Sequence, residues 1–446
     1  MSNKTISEFL SKEYKEFSLY TIENRAIPSI IDGFKPTHRK VIHVCSDIWK
    51  SGTEKPLKVF QLAGKVASDA FYHHGNQSLE NAIITMAQGF KNNMALLDEC
   101  GQFGSLRSPE AGAARYIGTK LNKNFRLLYK DFELLEYKEE EGTSIEPKYF
   151  LPIIPTVLIN GSSGIAVGFS SNILNRSPLD IISTCENLIK GKSISDIKPS
   201  NNFFKGDYIQ DVENHKKWII RGKLDIVNTT TVKISELPPS MTYEKYENIL
   251  DSLIESKSIS SYDDNCKDSV DYTIKFSREA LSQLTEDKLF KLLKLEETET
   301  EIFTTLDETG KLHIFESSKE IIEYFVKFRL SYYDKRKDYF LNKMKYDLKI
   351  LANRGRFIKF ILDNKLEIKG RKKDEIVTDC DKLGLERIED GYDYLLRMSI
   401  WSLTQEMFDK LKDDYRNKKS EMEAFALIEP KDMYLSDLSE LKKKLK

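Results

Sequence analysis

Residues 32–40 read DGFKPTHRK, with a glycine and a proline directly ahead of a segment of helical character. Outward from this stretch, apolar side chains recur at helical spacing over residues 38–50, 58–73 and 79–90. Short helices separated by glycine and proline breaks are typical of a helix-turn-helix or winged-helix unit. We therefore predict a winged-helix domain over residues 1–135, which begins with a helical arm.

The character of the sequence changes after this domain. Residues 150–175 are rich in β-branched side chains and are punctuated by proline and glycine, which is typical of strands and turns. Residues 219–236 have the pattern of paired strands, and residues 242–256 have that of a helix. This mixture predicts an α+β domain over residues 136–316.

The last part of the chain carries the longest apolar periodicity. Residues 317–368 and residues 393–428 each predict a long helix, with lysine and arginine between the apolar positions. A segment with three glycines, residues 369–392, joins them. Two long helices with a small globular connector predict an antiparallel coiled coil over residues 317–446. An ordinary helical bundle is the alternative, because the heptad pattern is imperfect.

Composition limits the class of protein. The chain has 446 residues, enough for several domains, and 31% of them are charged. No apolar run approaches the roughly 18 residues that span a membrane, and the first residues have no signal-peptide core. The five cysteines are widely spaced without a Cys-x-x-Cys pair, so neither a disulfide framework nor a zinc site is predicted. We expect a cytoplasmic protein that does not associate with membranes.

Charge is unevenly distributed along the chain. The formal net charge is -1, but residues 1–130 contain 18 lysine and arginine residues against 12 acidic ones, a net charge of +6. An acidic run follows over residues 131–146. A positive front section could bind phosphates and release counterions. Ordinary variation in surface charge is an equally good explanation of these counts.

Tyr116, in the stretch 112–118 (GAARYIG), is the candidate nucleophile. Transfer of a phosphodiester to a phenol needs a base for the proton, cations around the phosphate and a held leaving group. A free phenol has a pKa of about 10, so a neighbouring guanidinium such as that of Arg115 favours the ionised form. Taken alone, Tyr116 is more simply a structural residue, since the chain has 21 tyrosines.

Two other features of the sequence have simple structural explanations. The adjacent histidines His73 and His74 could bind a metal adventitiously, but neighbouring side chains point in different directions and make a poor chelate without acidic partners. Residues 161–168 (GSSGIAVG) lack the Gly-Lys-Ser/Thr end of a phosphate-binding P-loop, so they predict a turn between strands. No metal site is predicted on this chain.

Several ordered stretches resemble the breakage-reunion part of the type IIA DNA topoisomerases. They are residues 25–28 (RAIP), 32–40 (DGFKPTHRK), 72–79 (YHHGNQSL), 101–105 (GQFGS), 112–118 (GAARYIG), 160–168 (NGSSGIAVG) and 234–239 (ISELPP). The resemblance runs nearly end to end and combines eukaryotic and bacterial traits, which within the family is similar to the subunits of T-even bacteriophages. It implies that residues 136–316 form the family's tower domain and that the coiled coil ends in a C-terminal dimer gate.

The resemblance also implies roles for single residues. Tyr116 is similar to the family's covalent nucleophile. Arg115, Arg39 and His74 resemble the cluster around the scissile phosphate. Ile165 is similar to the isoleucine that wedges between base pairs and bends the DNA. The other residues in DNA-facing motifs are Lys35, Lys40, Gln77 and Ser78.

Partners and cofactors are also implied by the resemblance. A homodimer would act on double-stranded DNA, and two Tyr116 residues would cut opposite strands through 5′-phosphotyrosyl links. A second duplex would pass through the break, so that the enzyme relaxes and decatenates DNA. The sequence has no recognisable P-loop, ATPase domain or acidic metal-binding TOPRIM module. We therefore expect ATP and Mg²⁺ to be bound by partner subunits.

Two alternatives remain from the residues themselves. A tyrosine recombinase would carry a His-x-x-Arg motif, and none of the six histidines begins one. A non-catalytic winged-helix scaffold that binds and bends DNA would need no nucleophile, and it predicts that Tyr116→Phe keeps full activity.

Overall fold

The computed structural model describes residues 6, 10–50, 55–267, 269–388 and 391–445. The chain divides into two compact units, Met1–Arg329 together with Asp437–Lys446, and Leu330–Ser436. Helices and strands are both abundant, so the predicted mixed α+β class is confirmed. Within the described residues, no helix is both long and apolar enough to cross a membrane.

The first unit opens with a layer of helices, and the three segments predicted to be helical are helical with shifted ends. The elements are α1 (Lys15–Thr21) between π-helical turns Leu10–Tyr14 and Ile22–Ala26, α2 (Pro36–Ile48), β1 (Leu57–Lys58), α3 (Val59–Asp69), α4 (Asn76–Ala87), β2 (Gly118–Thr119) and α5 (Lys123–Leu128). Proline at the first position of α2 suits a helix start, where no intrahelical N–H bond is lost. Helices α2, α3 and α4 pack together through their apolar faces.

Short antiparallel strand pairs follow, interrupted by helices. The elements are β3 (Tyr129–Lys130), a 3₁₀ turn (Phe132–Leu134), β4 (Tyr137–Glu140), β5 (Thr143–Pro147), β6 (Leu151–Pro152), α6 (Thr156–Asn160), β7 (Ser162–Ile165), β8 (Ser170–Ile173) and α7 (Pro178–Ile189). The pairs are β3–β6, β4–β5 and β7–β8. The strand-like pattern over residues 150–175 was wrong at α6, because a short, fully buried apolar run has the same pattern in a helix as in a strand.

Two larger antiparallel sheets and one further strand pair follow in this unit. Their elements and those around them are β9 (Asp207–Gln210), β10 (Lys217–Arg221), β11 (Lys223–Asn228), β12 (Thr231–Glu236), α8 (Tyr243–Glu255), β13 (Ser261–Asp264), β14 (Tyr272–Lys275), α9 (Arg278–Ser282), α10 (Glu286–Leu292), β15 (Glu296–Thr300), β16 (Phe303–Leu306) and β17 (Leu312–Phe315). The strand orders are β15-β10-β9 and β11-β12-β14-β13, and β16 pairs with β17. Helix α8 buries Tyr246 and Leu250 against the four-stranded sheet, where Val232 and Tyr272 belong to the same core.

The second unit is helical. Its elements are most of α11 (Ser318–Leu362), α12 (Lys373–Lys382), α13 (Asp393–Leu396), a 3₁₀ turn (Ile400–Ser402), α14 (Gln405–Leu427) and the start of α15 (Pro430–Leu445). The rings of Phe340 and Phe425 lie 6.4 Å apart, and Lys418 Nζ lies 2.6 Å from the carboxylate of Asp347. From the first of these contacts to the second, the residue number increases on α11 and decreases on α14, so the two helices are antiparallel.

The single helix predicted over residues 393–428 was wrong, because the chain forms α13, a 3₁₀ turn and α14 instead. The hydroxyl of Thr404 accepts a hydrogen bond from the backbone N–H of Met407 and so caps the start of α14. Such a cap ends the helical backbone on its N-terminal side, and apolar periodicity alone does not reveal it. The division of residues 1–316 into two domains near residue 135 stays a prediction.

Candidate active site

Tyr116 lies at the end of an irregular loop between α4 and β2. Its backbone N–H donates to the carbonyl of Ala113 at 2.8 Å, and its carbonyl accepts from Lys58 Nζ at 2.6 Å. Ile117 is buried next to it and accepts a hydrogen bond from the backbone N–H of Val59. The Tyr116 side chain is 71% exposed, and its phenol has no hydrogen-bond partner among the described residues. A fixed backbone with a free, exposed phenol suits attack on an external substrate.

Arg115 supplies a cation beside this phenol. Its guanidinium carbon lies 5.4 Å from the centroid of the Tyr116 ring. The arginine is exposed and lines a groove whose opposite side is α4, with Gln77 and Asn81. A guanidinium beside the phenol is placed where it can stabilise negative charge on a phosphate bound there.

His74 belongs to a separate cluster, formed with the helical arm. The hydroxyl of Tyr20 and Nε2 of His74 share a hydrogen bond of 2.9 Å, and the Arg25 guanidinium lies 5.4 Å from the centroid of the Tyr20 ring. Partial burial, and then the positive charges of Arg25 and His73, lower the pKa of His74. This lowered pKa favours the neutral imidazole, the form that can accept a proton.

Arg25 was not among the predicted site residues. Its motif (residues 25–28) was recognised, but the sequence carried no sign that this arginine reaches His74. The sequence did offer one sign that Arg25 is exposed: it directly precedes the apolar pair Ala26 and Ile27, which are both buried. Burial of those neighbours leaves Arg25 exposed at the end of the arm.

Arg39 is buried in the core, in contrast to Arg115. Its Nε and Nη2 donate to the two carboxylate oxygens of Asp32 at 2.7 and 3.0 Å, and Nη2 also donates to the carbonyl of Phe34 at 3.4 Å. Asp32 accepts further bonds from the backbone N–H groups of Phe34 and Phe150. No contact between Arg39 and Tyr116 occurs in the described part of the chain, and the role of Arg39 at the phosphate stays a prediction.

The residues predicted to face DNA differ in how freely they can do so. Lys40 is committed to the carbonyl of Ala70 and to the carboxylate of Glu146. Gln77 is exposed on α4, while the hydroxyl of Ser78 bonds to that of Tyr72 at 2.6 Å. Lys35 donates to the carbonyl of Ser163 at 2.7 Å, and burial lowers its pKa.

Ile165 ends the first strand of the β7–β8 hairpin and is 87% exposed. The hairpin lies so close to the end of the arm that a Cβ on Gly164 would come within 2.0 Å of the carbonyl oxygen of Ala26. Only glycine allows that approach. The contacts therefore fix the hairpin while leaving an apolar side chain in solvent, as a DNA-wedging residue requires.

The described residues contain no group of three histidine, cysteine, aspartate or glutamate side chains arranged to hold a metal ion. The groups closest to the candidate chemistry are a phenol, guanidinium groups and an imidazole. Mg²⁺ prefers carboxylate, carbonyl and water oxygens. This set of side chains does not fit a resident Mg²⁺.

Comparison with known proteins identifies relatives over nearly the whole chain. Residues 25–442 match the sequence model of the family of DNA gyrase/topoisomerase IV A-type subunits. The DNA topoisomerase medium subunit of Enterobacteria phage T4 is 33% identical over 448 residues, which cover 99% of this chain and 100% of that protein. The mitochondrial DNA topoisomerase 2 of Dictyostelium discoideum is 35% identical over 459 residues, 99% of this chain but 35% of that protein.

A solved structure agrees with these relatives. The DNA-binding, cleavage and re-ligation domain of Plasmodium falciparum topoisomerase II superposes with a TM-score of 0.85 at 33% identity, covering 98% of this chain and 64% of that one. The chain therefore spans about a third of the length of the first curated relatives, and the full length of the phage T4 protein.

Proposed function

The chain belongs to the family of DNA gyrase/topoisomerase IV A-type subunits, and from this we propose that it is the DNA-cleaving and rejoining subunit of an ATP-dependent type II DNA topoisomerase. The observation that carries the proposal is the exposed Tyr116 phenol beside the Arg115 guanidinium on an anchored loop. Tyr116 is the most exposed of the described tyrosines, at 71% against 44% for the next, whereas a structural tyrosine commonly buries its ring or bonds its hydroxyl.

The proposed chemistry is a reversible transfer of one phosphodiester bond. Oη of Tyr116 attacks the scissile phosphorus and loses its proton, while the P–O bond to the 3′ oxygen breaks and that oxygen takes up a proton. The product is a 5′-phosphotyrosyl link and a free 3′ hydroxyl. The reverse attack restores the DNA and the phenol, so rejoining needs no separate energy source. Arg115 stabilises the charge that develops on the phosphate.

The cluster of Tyr20, Arg25 and His74 would act on the same phosphate. Neutral His74 could accept the phenol proton, and Arg25 adds positive charge. No hydrogen bond, ion pair or ring contact joins Tyr116 to this cluster in the described part of one chain. We propose that bound DNA and a second copy of the chain bring the two together, in a homodimer with two Tyr116 residues on opposite strands.

The predicted architecture is kept as part of this proposal. Residues 1–135 would form the winged-helix domain, 136–316 the tower, and 317–446 the coiled coil with its gate. In the second unit, Ile400 and Trp401 are 83% and 88% exposed on the 3₁₀ turn. Large neighbouring apolar side chains in solvent support a protein contact there, as a dimer gate requires.

The remaining components would come from partner subunits. An ATPase/TOPRIM subunit would supply ATP hydrolysis and bind Mg²⁺, which assists phosphoryl transfer when present. The assembly would bind double-stranded DNA, bend it with Ile165, pass a second duplex, and so relax and decatenate DNA. We propose that it works in the cytoplasm, or in the host cytoplasm if the source is viral.

Denaturant trapping of cleaved DNA tests the proposal. Tyr116→Phe, assembled with the partner subunits, is expected to bind DNA with unchanged affinity and to form no covalent adduct. Tyr346→Phe is the matched control, since Tyr346 is also an exposed tyrosine, at 44%, and lies on α11. Full activity of Tyr116→Phe would favour the DNA-bending scaffold, and protein attached to the 3′ end would favour a recombinase-type enzyme.

A further inference from the structure

The loop that presents Tyr116 contains a closed lobe, residues 102–112. The lobe is closed at its base, where the backbone N–H of Gly112 donates to the carbonyl of Gln102 at 2.9 Å. Gln88, which is buried, donates from its side chain to the carbonyls of Phe103 and Pro109. These bonds anchor the base of the lobe to the end of α4, but they do not reach its tip.

Arg107 lies at the tip of the lobe and is buried against a distant part of the chain. Its Nη1 donates to the carbonyls of Pro238 and Met241 at 3.1 and 3.2 Å, and Nη2 donates to the carbonyl of Leu237 at 2.9 Å. Nη2 also pairs with the carboxylate of Glu236. The side chain of Arg107 is 8% exposed and that of Glu236 is 7% exposed. The guanidinium therefore clasps the turn between β12 and α8 across 131 residues of sequence.

Glu236 is held as firmly as Arg107. Its second oxygen accepts from the backbone N–H of Lys205, and its first also accepts from that of Leu237. The backbone joins the contact too, because the N–H of Tyr243, the first residue of α8, donates to the carbonyl of Arg107. The tip of the lobe is thus fixed to the four-stranded sheet and its helix.

The lobe leads directly into the turn that carries the nucleophile. Gly112, the last residue of the lobe, precedes the Ala113–Tyr116 turn without an intervening element. The lobe is closely packed within itself: a Cβ on Gly104 would come within 2.7 Å of the carbonyl oxygen of Pro109. The contacts of Arg107 at the tip therefore add to those at the base of the lobe and at Tyr116 in defining where this loop holds the phenol.

We propose that Arg107 and Glu236 are positioning residues for Tyr116. Their buried ion pair holds the lobe against the four-stranded sheet and so sets the distance and direction of the phenol relative to the scissile phosphate. Neither residue would contact DNA or the reacting atoms. The proposal rests on the proposed function, since it needs Tyr116 to be the nucleophile.

A graded set of variants in the assembly with its partner subunits tests this. Cleavage requires reacting atoms within a narrow range of distance and angle, and a misplacement of about 1 Å lowers a rate about 100-fold. Arg107→Ala is therefore expected to slow covalent-adduct formation at saturating DNA by about 100-fold, with DNA affinity within about twofold of the wild type. Arg107→Lys keeps the charge but loses the forked donor geometry, so it should fall between Arg107→Ala and the wild type.

Arg221→Ala is the matched control. Arg221 also pairs with a carboxylate, that of Glu296 at 3.0 Å on the neighbouring strand of the three-stranded sheet, but makes no contact with the lobe in the described residues. It should cleave at the wild-type rate. Glu236→Gln keeps the side-chain shape and removes only the charge, so it tests the proposal even if Arg107→Ala does not fold. Its cleavage rate should fall while its DNA affinity does not.

Two results would overturn the positioning role. One is wild-type cleavage by folded Arg107→Ala or Glu236→Gln. The other is a loss of cleavage in these variants that is fully explained by an equal loss of DNA binding or of folded protein. A loss of cleavage of the same size in Arg221→Ala would likewise show that the effect is not specific to the lobe. Tyr116→Phe, assayed in parallel, separates this failure from that of the proposed function. Adducts that persist in Tyr116→Phe would refute the nucleophile itself.

Discussion

Replacing Arg39 tests whether this arginine supports the fold or the chemistry. Asp32 is fully buried, and two of the four hydrogen bonds to its carboxylate come from Arg39. Arg39→Met keeps an unbranched side chain of similar length but leaves the Asp32 charge without its counterion. Removing one partner of a buried ion pair destabilises a protein by about 3–5 kcal/mol. We expect a loss of that size in the free energy of unfolding.

Urea unfolding followed by tryptophan fluorescence measures this loss. Trp49 is buried directly after α2, the helix that carries Arg39, so its emission reports on the region. The midpoint should fall by about 1–2 M urea. Arg115→Ala is the opposite case: its side chain is exposed, so stability should stay within about 0.5 kcal/mol. Its cleavage rate should nevertheless fall by about 100- to 1000-fold, the usual effect of removing one charge-stabilising group.

The double variant Asp32→Asn with Arg39→Met identifies the cause. If the destabilisation comes from an unpaired buried charge, neutralising Asp32 should restore much of the stability. The reasoning would be refuted by an Arg39→Met protein that unfolds at the wild-type midpoint yet does not cleave DNA. That result would place Arg39 at the phosphate, as the family resemblance implies.

Two further predictions concern the residues around Tyr116. Ile165→Ala should leave the unfolding midpoint unchanged, because its side chain is 87% exposed. The variant should bend DNA less, as measured by energy transfer between dyes on the two ends of the duplex. Unchanged bending would contradict the wedging role of Ile165. Arg25→Ala should raise the pKa of His74, because it removes a positive charge that disfavours the imidazolium, and NMR titration of the imidazole protons should show a midpoint shifted to higher pH. An unshifted midpoint would mean that Arg25 and His74 do not interact.

Element types were more predictable from the sequence than element boundaries. The helices α2, α3 and α4 follow from apolar spacing because each buries one face, and a buried face imposes its period on the sequence. The break ahead of α14 was missed because the start of this helix is marked by one hydrogen bond, from the backbone N–H of Met407 to the hydroxyl of Thr404. Such a cap leaves no trace in the apolar periodicity. Helix α6 was missed because all of its sides are buried, so that no period distinguishes it from a strand.

The exposure of the candidate site residues was easier to predict than their grouping, and their roles stay predictions. Tyr116, Arg115 and Ile165 are all exposed, which is consistent with the roles proposed for them. It was harder to predict which cations can bind a phosphate, because a sequence shows the charge of a side chain but not whether an internal carboxylate pairs with it.

Arg39 and Arg25 illustrate that limit. Both lie in stretches that resemble the family's motifs, and both carry the same charge. Asp32 precedes Arg39 by seven residues and is drawn with it into the core, where the pair satisfies both charges. Among the described residues Arg25 has no such carboxylate, and its guanidinium lies against an aromatic ring that bonds to His74. A cation without a carboxylate partner remains available to an external phosphate. By that criterion we propose that Arg25 joins Arg115 in the cleavage reaction, while the role of Arg39 at the phosphate stays a prediction.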